Sequence, residues 1–165
     1  MEALAIELNP TSSSFNDRFD DCFLVAYQSA YRVLGNRADA EDVAQEALTR
    51  AYLHWRKVDS YVEPWLVRVA TNLALDLVRR DKRRRVSPPT GLATSEDSAE
   101  RLDLAAAVAR LPRRQREVVA LRYVADLPEE TVAVLLRCST GTVKQHAHRG
   151  LNALRSSGHL AMETP

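Results

Sequence analysis

Apolar residues recur at intervals of three and four along nearly the whole chain, and no clear period of two interrupts them. That pattern predicts an all-α protein. A first helix is expected over Phe15 to Leu34, with Phe15, Phe19, Cys22, Phe23, Ala26, Ala30 and Tyr31 near one face and Gly35-Asn36 as its stop. A second runs from about Ala40 to Val58 on the stripe Ala40, Val43, Ala44, Ala47, Ala51 and Trp55. The third starts at Pro64, a residue suited to the first helical position, and continues into a basic run; its core side is Leu66, Val69, Ala70, Leu73 and Leu77.

Between Val86 and Ser98 the texture changes to Ser-Pro-Pro-Thr-Gly and then Thr-Ser-Glu-Asp-Ser, which neither buries apolar surface nor continues a helix. The expected organisation is therefore two small helical domains, residues 15–85 and 99–157, joined by a flexible linker at 86–98. A disordered segment at 1–14 and a tail at 158–165 flank them. The second domain opens with a helix from about Ala99 to Arg110 and another after Pro112.

Residues 128 to 155 then read as a helix-turn-helix. Pro128, Glu129 and Glu130 suit a helix start, and Val132, Ala133, Leu135 and Leu136 supply its buried side. The short Arg137-Cys138-Ser139-Thr140 segment ends in hydroxyl residues that can cap the following helix. In that helix Val143, Ala147, Leu151 and Leu154 make a narrow stripe, which turns Thr142, Gln145, His148, Arg149 and Asn152 outward, with Lys144 and His146 at the margins. Such donor-rich side chains contact base edges and phosphates, and a short turn between two helices is the geometry that presents the second to a major groove.

Composition narrows the choice of function. At 45% hydrophobic and 27% charged residues, the 165-residue chain can bury a core. A net charge of +1 argues against coating nucleic acid by electrostatics alone, although Arg79, Arg80, Lys82, Arg83, Arg84 and Arg85 concentrate cations at the end of the third helix. Met1 to Ser14 lacks the basic and apolar parts of a secretory signal, and no stretch is apolar enough to span a membrane. Two cysteines within helical patterns, Cys22 and Cys138, fit a reducing compartment, so a cytoplasmic location is expected. Enzymatic chemistry has little support. His146 and His148, two apart, lie on different helix faces and make a poor metal pair, Cys138 has no CxxC partner, and nothing points to a cofactor.

The run Leu111-Pro112-Arg113-Arg114-Gln115-Arg116-Glu117, continuing through Leu121-Arg122-Tyr123 to Cys138-Ser139-Thr140-Gly141-Thr142-Val143-Lys144, resembles region 4 of bacterial sigma factors of the extracytoplasmic-function group, group 4 of the sigma-70 family. One departure is Arg137, where that family usually has Gly. The N-terminal half is similar in turn: Asp39-Ala40-Glu41-Asp42-Val43-Ala44-Gln45-Glu46 resembles region 2.2, and Trp65-Leu66, Asn72, Asp76 and Arg79-Arg80 resemble regions 2.3 and 2.4. The resemblance implies a region 2 helical bundle and a region 4 helix-turn-helix. It also implies an initiation subunit that binds core RNA polymerase on the β′ clamp helices and β flap, does no covalent chemistry, and answers to an anti-sigma factor. By the same analogy Asp42, Gln45, Glu46, Thr49 and Leu53, beside Tyr52, bind polymerase. Thr142, Lys144, Gln145, His148, Arg149 and Asn152 read the minus-35 element, and Trp65, Arg68, Asn72, Asp76, Arg79, Arg80, Arg83 and Arg84 act on the minus-10 element. The segment Asp59 to Pro64 would be the specificity loop.

Two other classes stay open at this point. A polymerase-independent helix-turn-helix regulator would need a dimer helix and half-site spacing set by symmetry. A sigma-mimic decoy that titrates an anti-sigma factor would tolerate loss of the DNA-facing side chains, yet Lys144, Gln145 and Arg149 are present.

Overall fold

A computed structural model describes residues 14–84 and 96–159, with side chains at 14–81 and 99–159. The expected features at residues 1–13, 85–95 and 160–165, and the side chains of Arg83 and Arg84, lie outside it. Every regular element among the described residues is helical.

A short 3-10 turn, Asn16–Arg18, leads into α1 (Phe19–Leu34). Cys22, Ala26 and Ala30 are buried as expected, but Phe19 and Tyr31 are 43% and 42% exposed, and the inner face turns instead through Ser29, Val33 and Leu34. Gly35 ends α1 in the left-handed conformation, φ 69°, with its N–H bonded to the Tyr31 carbonyl. It is also a point of close approach: a Cβ there would sit 1.9 Å from the Arg101 guanidinium. Asn36 caps α2 (Arg37–Val58) by accepting from the Asp39 N–H at 2.9 Å.

A second 3-10 turn, Asp59–Tyr61, precedes α3 (Val62–Arg84), which starts two residues before Pro64. Pro is tolerated there because the first-turn N–H groups of a helix have no intrahelical partner anyway. The buried line of α3 is Val62, Leu66, Ala70, Thr71, Ala74, Leu75 and Val78, while Val69, Leu73 and Leu77 are only half-buried. This rotates its core side away from the expected stripe, because α3 packs on α1, α2 and α4 together. Alanines line these crossings, Ala26, Ala30, Ala40, Ala44, Ala47, Ala51, Ala70 and Ala74 all being fully buried.

Next comes α4 (Glu96–Arg110), which opens inside the expected 86–98 linker because Glu96 and Asp97 suit a helix's first turn, with Ala105 to Ala109 buried without interruption, and then α5 (Arg113–Val119). A π-helical turn, Ala120–Val124, and Asp126 at φ 54° swing the chain into α6 (Glu129–Leu136) and α7 (Thr140–Ser156). The larger apolar cluster spans α1 to α4 and takes in Val119, Ala120 and Leu154. A smaller one, Val118, Leu121, Val132, Ala133, Leu135, Leu136, Val143 and Ala147, is the core of the helix-turn-helix, and Val67 of α3 packs against it. Gly150 allows α7 to cross α5 closely, since a Cβ would meet Val119 Cγ2 at 2.6 Å.

Candidate nucleic-acid interface

Arg137 closes α6 at φ 53°, ψ 52°, and the Cys138 N–H returns to the Ala133 carbonyl at 3.0 Å. This is a Schellman-type stop that glycine makes without strain and arginine makes at a cost of roughly 1 kcal/mol. The side chain of Arg137 is exposed, so nothing apolar is displaced by it. Ser139 then caps α7, its Oγ accepting from the Thr142 N–H at 3.1 Å. With Val143, Ala147, Gly150 and Leu154 buried, Lys144, Gln145, His148, Arg149 and Asn152 all stand in solvent, while Thr142 and His146 are half-buried. The row is ordered from within: Asn152 Nδ2 lies 3.0 Å from His148 Nε2, and Arg155 donates to Asn152 Oδ1 at 3.3 Å. Lys144 leans back to Glu129 at 3.6 Å.

On α3 the expected flank is less uniform. Trp65 is half-buried with the His54 ring 6.4 Å away, Asn72 is half-buried, and Asp76, Arg79 and Arg80 are exposed, Arg80 Nε donating to the Asp76 carbonyl at 3.4 Å. Arg68 is turned away from solvent. Its guanidinium donates to the Leu135 carbonyl of α6 at 3.2 Å and to Glu117 Oε1 of α5 at 3.4 Å. Sequence reasoning missed Glu117 as an organising residue. Only 4% exposed, it also takes Arg114 at 3.3 Å and Arg113 at 3.7 Å, so three cations compensate one buried carboxylate. The i,i+3 and i,i+4 spacing of the two local arginines was the available signal; Arg68, 49 positions away, had none.

The outward face of α2 carries Asp42, Gln45, Glu46, Thr49, Tyr52 and Leu53, all exposed, with Leu53 at 72% and Tyr52 at 64%. Beside it an open cleft of about 320 Å³ is lined by Phe15, Phe19, Gln45, Leu48, Thr49 and Tyr52. Phe15 anchors that cleft by edge contacts to Phe19, Tyr52 and Trp55 at 5.9, 5.2 and 5.2 Å. Apolar area in the open beside acids is a feature common at protein-contact surfaces. Cys22 offers no reactivity, since burial pushes its thiol up, outweighing the nearby Arg18 that draws it down. Among the described residues no group of three or more His, Cys, Asp or Glu is arranged to hold a metal, and no helix is long and apolar enough to cross a membrane.

Comparison with known proteins fits this geometry. Residues 23–84 match the family model for Sigma-70 region 2, and residues 101–154 match that for Sigma-70, region 4. The chain is 35% identical over 153 residues to the ECF RNA polymerase sigma factor SigW of Bacillus subtilis, covering 78% of this chain and 80% of that one. With the ECF RNA polymerase sigma factor SigL of Mycobacterium tuberculosis it shares 33% over 149 residues, 83% and 84% of the two chains. The sigma factor RpoE of Bartonella quintana, solved in complex with the anti-sigma factor NepR, has the same fold at a TM-score of 0.54 and 20% identity, over 91% of this chain and 98% of that one. On these grounds, with both conserved regions matched in order and two relatives above 30% identity along most of their length, the chain belongs to the ECF RNA polymerase sigma factors.

Proposed function

We propose that this chain is a group 4 sigma factor that binds core RNA polymerase through the outward face of α2, reads the minus-35 element with α7 and traps a base of the melted minus-10 element on α3. The observation that carries the reading is the α6–turn–α7 unit: a Ser139-capped helix whose packed stripe is narrow enough to leave Lys144, Gln145, His148, Arg149 and Asn152 exposed toward a major groove. On α2, Asp42, Gln45, Glu46, Thr49 and Leu53 meet polymerase, and Tyr52 extends the same patch. Trp65 stacks on the unpaired base, Asn72 hydrogen-bonds its edge, and Asp76, Arg79, Arg80, Arg83 and Arg84 follow the strand.

Residues 15–85 and 99–157 act as two units with 86–98 between them. By their positions the two elements lie roughly 25 base pairs apart, about 85 Å of B-form duplex at 3.4 Å per step. A compact chain of this length has a radius of gyration of only about 15 Å. Both helices reach their elements only when the two units part, so Arg68 joins the minus-10 flank after leaving Glu117. Control by an anti-sigma factor, a cytoplasmic location and the absence of covalent chemistry belong to the same reading.

The decisive experiment reconstitutes the full chain with core polymerase and measures transcription from a library of promoter fragments. Transcription of a defined subset is expected. If no fragment is transcribed and the chain does not co-elute with polymerase, the reading fails. Within it, Asn72→Ala is expected to impair strand opening, followed by permanganate reactivity, while polymerase binding is retained; unchanged opening removes Asn72 from base capture.

A further inference from the structure

We propose that Arg18 is a positioning residue for base selectivity: from the turn ahead of α1 it sets the shape of the Asp59–Tyr61 turn, which stands next to the base-trapping end of α3. The inference rests on the minus-10 reading above.

The guanidinium of Arg18 makes three contacts with residues distant in sequence, two of them more than forty positions away. One nitrogen donates to the Asp59 carbonyl at 2.8 Å, another pairs with Glu63 Oε1 at 3.1 Å, and the group lies 5.9 Å from the centre of the Trp55 ring. One side chain thus joins the C-terminal end of α2, the turn itself and the first turn of α3. A cation at that helix end also complements the α2 dipole.

The turn needs an outside brace. It is three residues of 3-10 geometry, whose hydrogen bonds are poorer than those of an α-helix, and it has no side-chain cap at its start. Its own polar contact is local, the Ser60 N–H bonding to Asp59 Oδ1 at 2.8 Å. Ser60 and Tyr61 meanwhile face solvent, Tyr61 being 43% exposed, one helical turn before Trp65. Arg18 itself is committed to protein, its side chain 28% exposed against 59% for Glu63, which is the wrong disposition for a phosphate contact.

Stacking on Trp65 accepts any base, because every base has a π-face. Discrimination among bases depends on donors and acceptors held at fixed distances from the base edge, and small displacements remove it. Loss of the brace therefore relaxes choice more than capture.

The test uses holoenzyme assembled from core polymerase and the full chain, either unaltered or carrying Arg18→Ala, Arg18→Lys or Glu63→Gln. Each is incubated with fork-junction DNA whose single-stranded minus-10 segment is randomised. Base preferences come from sequencing the retained DNA, total retention is measured in parallel, and thermal unfolding is followed for each variant. Arg18→Ala is expected to lower the preference for the favoured base by roughly five- to tenfold while total retention falls about twofold at most. Arg18→Lys, which keeps a donor for the Asp59 oxygen, restores part of the preference, and Glu63→Gln gives a smaller loss of it. If Arg18→Ala does not fold, the graded loss in the other two variants carries the test. Unchanged base ratios in all variants, or a uniform fall in retention with ratios intact, overturn the proposal and leave Arg18 a structural brace. An unaltered holoenzyme with no base preference in this strand overturns the minus-10 reading itself and the proposal with it.

Discussion

Helices α3 and α7, to which we assign the two nucleic-acid surfaces of this protein, are packed in opposite ways. Four buried positions hold α7, Val143, Ala147, Gly150 and Leu154, with Thr142, His146 and Leu151 half-buried beside them and the remaining face open. By contrast α3 has neighbours on several sides, seven buried positions, and a flank on which Arg68 is already bonded to Leu135 and Glu117. A helix held by one narrow stripe offers its outward residues for the loss of exposed contacts alone, such as Lys144 to Glu129 and Asn152 to His148, which are worth little in solvent. One that is surrounded offers them only after part-buried contacts are given up, so in the proposed reading recognition at α3 is the more conditional of the two.

The largest effect expected from this contrast is at Arg149. Arg149→Ala should weaken promoter binding by the holoenzyme roughly 10- to 100-fold, read by fluorescence anisotropy at two salt concentrations. Unchanged affinity would break the contrast, because the open face would then not be the reading face. Next is Glu117→Ala, which leaves Arg68 without its carboxylate and is expected to cost about 2 kcal/mol in urea unfolding. A loss near zero would mean that solvent already satisfies the three arginines. A gain of about 1 kcal/mol is expected from Arg137→Gly, which relieves the left-handed turn ahead of α7 while leaving DNA affinity alone. The smallest change is at Thr71, whose buried hydroxyl has no hydrogen-bond partner among the described residues. Thr71→Val should raise stability by about 0.5 kcal/mol, measured by thermal melting, and a loss instead would assign the hydroxyl a partner.

The same difference decided how much the sequence could tell. On α7 the outward set follows from the apolar positions Val143, Ala147, Leu151 and Leu154; the exposed row agrees with it except at Thr142, which is half-buried, and Gly150 rather than the half-buried Leu151 completes the packed stripe because α5 crosses there. The positive φ at Arg137 agrees with the glycine that the resembled family usually has at that position, since glycine takes this conformation without strain. On α3 periodicity misjudged both the start and the core side, since Pro64 reads as a first residue and burial against three helices blurs a single stripe. Arg68 and Arg18 look like surface cations in sequence, and only the fold brings Glu117 and Asp59 to them. Local signals reached capping, turns and one-sided helices; ties between distant segments were invisible to them.

The fully buried alanines between α1, α2 and α3 have a consequence for how this protein can change. Where helices meet through methyl groups, backbones lie close, and nearly any larger side chain has to push two helices apart at a cost of roughly 1 to 3 kcal/mol. New specificity is therefore open to the exposed rows of α7 and α2, which can vary without disturbing their neighbours. The interior that sets the distances between those rows has almost no room to drift.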